Sequence, residues 1–402
     1  MTYAMIPFGQ DPIKSLDYVE KTEGHYVYVE GKKLLDYTHS IAFTLGYSNE
    51  EIIDGIASEL RNVSRSQIPR GYTTESIEEV STWLCETGDW AGYAWSVTGT
   101  GAVECAIGMN DTYWQQKEKF DKRKIISFTS VWHGTSYLTK AMGLPHRYIW
   151  NSDRLEHIKL PSWRYIENRD EEEAKTLKQL ADKFESDHES IGCIIFDPVP
   201  WFETAQFSET WWKTVRKLCD DYNVLMIVDD VATGFGKLGS IHSHTVVGGG
   251  VQADISALGK SITAGMAPLS ATVCNKKVRD VIGNYLEYGH TYCPYMGGIG
   301  AMKALKTIFE RDKILERVPT INGLLNKMGD DFIERGLIQS YRTAGVMMAM
   351  DLTESFQAQK QTQFGLSGKL KSIPNINIAA PLNTDEEYMH ELTTKFSNIF
   401  SA

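Results

Sequence analysis

Residues 224–231 read Val-Leu-Met-Ile-Val-Asp-Asp-Val, and residues 254–261 read Asp-Ile-Ser-Ala-Leu-Gly-Lys-Ser. Each is a short apolar run that stops in residues able to do chemistry: Asp229 and Asp230 in the first, Gly259 and Lys260 in the second. Runs of this length, apolar on both faces and separated by helical stretches, belong to strands buried on both sides. Working outward, residues 93–97, 125–129 and 193–196 have the same character. The alternation predicts an α/β fold whose mainly parallel sheet is covered by helices on both faces.

The two ends read differently. Tyr26-Val27-Tyr28-Val29 predicts a strand and residues 30–33 a turn. Ser48 with Glu51 makes a capping box ahead of a helix whose face carries Ile52, Ile53, Ile56 and Leu60. After Met296 the chain is helical, offers one strand candidate at 345–352, and ends in a helix with Met389, Leu392, Phe396 and Ile399 on one side. Thr384 and Glu387 form the capping box of that last helix. The expected organisation is a large α/β domain at 61–300. Residues 1–60 and 301–402 together build a small α+β domain from both chain ends.

Composition narrows the function. The chain has 402 residues, 42% hydrophobic and 23% charged, with a formal charge of −11. That is a globular composition with chain enough for a large core. An acidic chain without basic blocks is a poor match for nucleic acid. Residues 1–14 do not read as a secretory signal, no apolar run reaches membrane-spanning length, and the six cysteines contain no CxxC pair. A cytoplasmic location with reduced thiols is expected. His242 and His244 are the one close histidine pair, and with no third ligand apparent they read as ordinary loop residues and no metal is expected.

Three features converge on one chemistry. Thr98-Gly99-Thr100-Gly101 follows a strand and opens a helix with Ala102, Ala106, Met109 and Tyr113 on one stripe. Such a turn exposes N–H groups at the positive end of the helix dipole, where a phosphate can sit. Asp229 and Asp230 end a buried strand, and ligands gather at the carboxyl ends of strands in such sheets. Lys260 ends another, 31 residues beyond Asp229. Pyridoxal phosphate needs a lysine, a carboxylate for its ring nitrogen and a phosphate cradle.

The chain resembles the class III aminotransferases of the fold-type I pyridoxal-phosphate superfamily, from about Gly24 to Leu382. The resemblance rests on TGTGAVE (98–104), VWHGTS (131–136), FDPV (196–199), VDDVATGFGKLG (228–239), DISALGK (254–260), GHTYCPYMGG (289–298) and RTAGVM (342–347), in the family's order. DDVATGFG and TYWQQK (112–117) lean towards the diaminopelargonate synthase branch. The resemblance implies a seven-stranded-type, mainly parallel sheet and pyridoxal 5'-phosphate as cofactor. Lys260 matches the lysine that holds the cofactor as an internal aldimine and then moves protons. Asp229 matches the partner of the pyridine nitrogen, Gly99 and Thr100 the phosphate donors, and Val231 a residue beneath the ring. Trp132 matches the stacking aromatic, where the family more often has Tyr or Phe. His133 reads as supportive, and Asp230 as a supporting or capping residue. Thr291 matches a residue that reaches the neighbouring subunit's phosphate, which implies a homodimer.

On the substrate side, residues 39–43 fall where the family lines its pocket, so Ile41 and Phe43 are candidate substrate contacts together with Trp132. Many members hold a substrate carboxylate with an arginine near the carboxy-terminal strand. Residues 369–382 contain no arginine, so either Lys369 or Lys371 substitutes as a point charge or Asn377 leaves the site neutral. The expected reaction is therefore amino transfer, by ping-pong half-reactions, from an amine distant from any α-carboxylate to a carbonyl acceptor. Alternatives are an aminomutase or other reaction on the same scaffold, a nicotinamide oxidoreductase, and a non-catalytic relative. TGTGAV does not satisfy GxGxxG, which argues against the oxidoreductase.

Overall fold

The computed structural model describes residues 18–37, 41–64, 72–129, 131–143, 152–160, 169–201, 203–353 and 375–401. Its centre is a seven-stranded sheet. The strands are β4 (Gly92–Ser96), β5 (Lys124–Phe128), β6 (Leu155–Ile158), β7 (Ile191–Phe196), β8 (Leu225–Asp229), β9 (Ile255–Leu258) and β10 (Ser270–Cys274). Before them run β1 (Val19–Glu23), β2 (Tyr26–Val29) and β3 (Lys32–Leu35), and after them β11 (Ile338–Ala344), β12 (Met347–Leu352) and β13 (Asn375–Ala379). The order in the large sheet is β4-β10-β9-β8-β7-β5-β6. β10 runs antiparallel to both neighbours and the other pairs are parallel. The mixed α/β architecture expected from the apolar runs is present, with β7, β8, β9 and β10 buried at every residue. The helix Gly99–Gln116 packs its predicted stripe inward, with Ala102, Ala106, Met109 and Tyr113 all buried.

Two smaller antiparallel sheets, β1-β2-β3 and β11-β12-β13, come from the two ends of the chain. The last helix, Glu386–Ser401, packs on the amino-terminal segment: Phe396 meets Tyr37 with ring centroids 4.8 Å apart, and Tyr388 meets His25 at 4.4 Å. The Leu382 N–H donates to the Thr44 carbonyl at 2.7 Å.

Several local expectations need correction. The helix at 50 is capped by Asn49, which accepts from the Ile52 N–H at 3.2 Å, while the Ser48 hydroxyl turns away to the Thr22 carbonyl at 2.8 Å. The cap is shifted by one residue, and the donor it satisfies shifts with it, from the Glu51 N–H to the Ile52 N–H. In the last helix Asp385 accepts from the Tyr388 N–H at 2.8 Å, and Thr384 is buried behind it. The turn predicted at 30–33 is tighter, since Lys32 already belongs to β3. β6, β10, β11 and β13 carry too many polar residues, or too few apolar ones, to stand out as strands by composition. They are strands because a neighbouring strand supplies their hydrogen bonds. The run at 345–352 divides, with Gly345 in the turn between β11 and β12 at φ +56°.

Candidate active site

Strand direction assembles the site. β4 and β5, like β7, β8 and β9, point their carboxyl ends to one edge of the sheet. The segments leaving that edge carry Gly99 and Thr100, then Trp132 and His133, then Asp197, then Asp229 to Val231, and finally Lys260. Ligands collect at this edge of an α/β sheet because the strands end there and their loops diverge.

The first turn of the helix after β4 is built for close approach. The Thr98 hydroxyl caps it, accepting from the Gly101 N–H at 3.0 Å. A Cβ on Gly99 would lie 2.4 Å from Val231 Cγ1, and one on Gly259 would lie 3.3 Å from Gly99 Cα. Three segments that leave different strands thus meet here, Gly259 against the Gly99 backbone and the Val231 side chain against Gly99, and a side chain at Gly99 would displace the valine. Thr100 continues the cradle, with its hydroxyl accepting from the Thr135 N–H at 3.3 Å. Gly134 lies at φ +135°, and a Cβ there would fall 2.5 Å from Thr100 Oγ1.

Facing this turn is a buried charge cluster. Asp229, 3% exposed, places Oδ2 2.7 Å from His133 Nδ1 and accepts from the Val231 N–H through Oδ1 at 3.1 Å. The Nε2 atom of His133 is buried without a hydrogen-bond partner. Burial opposes charge on His133, but Asp197 and Asp229 together outweigh it and hold the imidazole above its ordinary value. Lys260 follows β9 in the left-handed region at φ +46° and is partly buried. Burial pulls its ammonium below the usual lysine range, while Asp229 and Asp197 pull the other way. A lysine whose charge is disfavoured is a better nucleophile towards a carbonyl. The donor set fits pyridoxal phosphate: an amine of lowered basicity, a buried carboxylate, and a glycine-lined helix N-terminus that a single Cβ would obstruct.

Trp132 is partly buried and sits between Val131 and His133 in the loop after β5. Ile41 and Phe43 lie against the turn after Lys260, where Ser261 Oγ donates to the Ile41 carbonyl at 3.5 Å and a Cβ on Gly265 would touch Phe43 Cδ1 at 3.0 Å. His39 and Ser40 lie outside the described residues, as do Lys369 and Lys371. Asn377 does not face an open pocket. Its amide donates to the Trp201 carbonyl at 2.6 Å and to Thr204 Oγ1 at 3.2 Å. Thr291 is exposed, in a segment anchored on its own chain, where the Tyr288 hydroxyl bonds the Gly101 carbonyl at 2.5 Å and His290 Nε2 at 2.7 Å. Asp230 is a buried cap: it accepts from Thr233 Oγ1 at 2.6 Å and from the Ser243 N–H at 2.8 Å, and burial raises its carboxyl to about 6. His242 and His244 are interior residues rather than loop surface, packed edge-on to Trp90, whose indole donates to His242 Nδ1 at 3.2 Å.

Two members of the neighbourhood carried no role in the sequence reading. Asp197 directly follows β7, much as Asp229 ends β8, so the signal was an acid closing an apolar run. Lys237, in the turn that follows Val231, is fully buried, and burial followed by the charge of Lys260 lowers it to about 7. Nothing local marks it, because a lysine after Gly-Phe-Gly reads as surface.

The sheet order and the lysine-bearing edge define a fold-type I pyridoxal-phosphate enzyme. The chain belongs to the class-III aminotransferase family, which it matches over residues 8–400. It is thus a pyridoxal-phosphate-dependent aminotransferase. Relatives include the adenosylmethionine-8-amino-7-oxononanoate aminotransferase of Geobacter sulfurreducens, 29% identical over 80% of this chain and 75% of that protein. A putrescine–pyruvate aminotransferase of Pseudomonas aeruginosa is 22% identical over 87% of this chain and 79% of its own length. Among solved structures, an amine transaminase from an uncultivated Pseudomonas species, in its pyridoxal-phosphate-bound form, superposes with a TM-score of 0.89. It is 21% identical and covers 100% of this chain and 99% of its own.

Proposed function

We propose that this aminotransferase takes the amino group from a primary amine whose reacting carbon bears no carboxylate and passes it to a carbonyl acceptor in two half-reactions. The observation that carries this reading is the state of the polar groups near the carboxy-terminal strands. Asn377 is engaged with Trp201 and Thr204. Arg342, on β11, already forks onto Asp351 and also donates to the Glu203 carbonyl at 2.7 Å. A guanidinium closed on an internal carboxylate has its planar fork used.

When bound, pyridoxal phosphate supplies an electron sink that allows a C–H bond beside the amine nitrogen to break. Lys260 would hold the cofactor and, in each half-reaction, carry the proton between the substrate carbon that bears the nitrogen and the cofactor's aldehyde carbon, a task suited to an amine of lowered basicity. Asp229 would keep a proton on the ring nitrogen, with His133 holding the carboxylate in place. Gly99 and Thr100 would bind the phosphate, Val231 would pack beneath the ring and Trp132 would stack on it. Ile41 and Phe43 would wall the substrate side with apolar surface suited to an amine's carbon chain. Thr291 would reach the phosphate of a second copy in a homodimer. That assembly is supported by the exposed aromatic rings of Tyr285 and Tyr292 around it. A cytoplasmic location is supported by six cysteines that form no disulfide. No described helix is long and apolar enough to cross a membrane.

The test is the absorbance of purified protein with pyridoxal phosphate before and after a panel of amines and α-amino acids. A visible band bleached by a simple amine or diamine, and far more slowly by an α-amino acid, is the expected result. A preference for α-amino acids would overturn the donor class, and simple isomerisation of one substrate would replace transfer with mutase chemistry.

A further inference from the structure

Asp197 has no part in the reading above, yet it touches the site from a strand of its own. β7 lies between β8 and β5, so an acid closing β7 faces the segments leaving both neighbours. Asp197 accepts from the backbone N–H of Trp132. Its Oδ1 also lies 3.6 Å from His133 Nδ1. The same Nδ1 is 2.7 Å from Asp229 Oδ2. One N–H directed along the shorter line belongs to Asp229, which leaves Asp197 as a second negative charge beside the pair, itself only 8% exposed.

We propose that Asp197 is a positioning residue: it buckles Trp132 and His133 to the end of β7 and adds its carboxylate beside the His133–Asp229 pair at the cofactor site. The inference rests on Lys260 as the cofactor-bearing lysine. The charges that act on Asp197 are those of His133 from the loop after β5, Asp229 from β8 and Lys260 from the turn after β9; Asp229 in turn acts on Asp230, and Lys260 on Lys237. Burial, then Asp229, raise the Asp197 carboxyl to about 7 against the pull of His133 and Lys260. The carboxylate is therefore costly to bury, and the two consecutive contacts to the loop after β5 offset that cost.

Two variants separate buckle from charge. Asp197→Asn keeps an acceptor for the Trp132 N–H and loses the charge, whereas Asp197→Leu loses both. The protein loaded with pyridoxal phosphate is titrated through its visible band, and cofactor affinity is measured by equilibrium dialysis. In Asp197→Asn the band's midpoint moves to lower pH by about one unit, affinity stays within about twofold, and kcat falls more than KM rises. Asp197→Glu returns the midpoint towards wild type. In Asp197→Leu the same shift comes with cofactor affinity weakened about tenfold or more. An unmoved midpoint in Asp197→Asn overturns the inference, as does equal loss of melting temperature in both variants without spectral change. Should Asp197→Leu not fold, the Asn and Glu variants decide alone. A wild-type protein with no visible band would instead sink the assignment of Lys260, so the two failures are distinct.

Discussion

His133 Nδ1 and Asp229 Oδ2 lie 2.7 Å apart across 96 residues of sequence, in a space that leaves the histidine 2% and the aspartate 3% exposed. A buried charged pair of this kind is costly to break, because the surviving partner keeps its charge without compensation. Replacing Asp229 by Ala is expected to lower kcat by about 100-fold or more, a loss of roughly 3 kcal/mol of barrier stabilisation, while the visible band persists. His133→Asn keeps a donor of similar reach, and about a tenfold loss is expected. Near-normal turnover in Asp229→Ala would remove its assigned role.

Lys260→Ala should abolish both the visible band and turnover, since no other amine occupies the end of β9. The buried Lys237 is the nearest competitor in character, held to about 7. A residual band in Lys260→Ala that disappears in the Lys260→Ala/Lys237→Ala double variant would transfer the assignment to it.

The close approach of the Val231 side chain to Gly99 makes a packing prediction. Gly99→Ala drives a methyl to within 2.4 Å of Val231 Cγ1, and overpacking of this kind costs about 1–3 kcal/mol. Cofactor affinity and thermal midpoint should both fall. Val231→Ala removes the colliding methyl, so the double variant should recover much of the loss in a double-mutant cycle. Additive losses would place the effect elsewhere than in that contact.

Acid sensitivity follows from two interior histidines. Burial depresses His242 to about 3, with help from the neighbouring His244, and depresses His244 itself to about 4. An unfolded chain binds protons at both near 6.5 while the folded chain does not, so stability falls as pH drops below that value. Each contributes about 1.4 kcal/mol of loss per pH unit until its folded value is reached. His133, raised in the fold, acts in the opposite sense: its contribution is present below 6.5 and lost as pH rises through its folded value. His244→Phe should flatten the decline of the thermal midpoint between pH 6.5 and 5. An unchanged slope would mean the histidine is protonated in the fold.

Thr291 tests the assembly. In a homodimer with shared sites, Thr291→Ala should weaken cofactor retention about tenfold without lowering the thermal midpoint, because the side chain is exposed within its own chain. Unchanged retention in a protein that runs as a dimer would argue that the phosphate is held within one subunit.

Much of this was legible in the chain before any coordinates. Strands such as β8 and β9 announce themselves because a buried parallel strand must be apolar on both faces, and Asp229 and Lys260 stand out as polar residues closing such runs. The glycine turn at Gly99 is equally local. What the chain alone left open is which of these segments meet. Asp197 closes an apolar run as plainly as Asp229 does, but its contact with Trp132 and His133 exists only because β7 lies next to β5 in the sheet. Asn377 stands in a segment whose sequence does not say what its amide meets, and the turn after β7 supplies the Trp201 carbonyl. Even the caps show the division: a capping motif is visible at 48–51, but whether Ser48 or Asn49 is the capping residue depends on a turn that sends Ser48 to Thr22. Local patterning determined which elements form and where their chemistry lies. Sheet order and burial decided which side chains are close enough to change one another's charge, because electrostatic coupling depends on distance through space and on the water excluded between them.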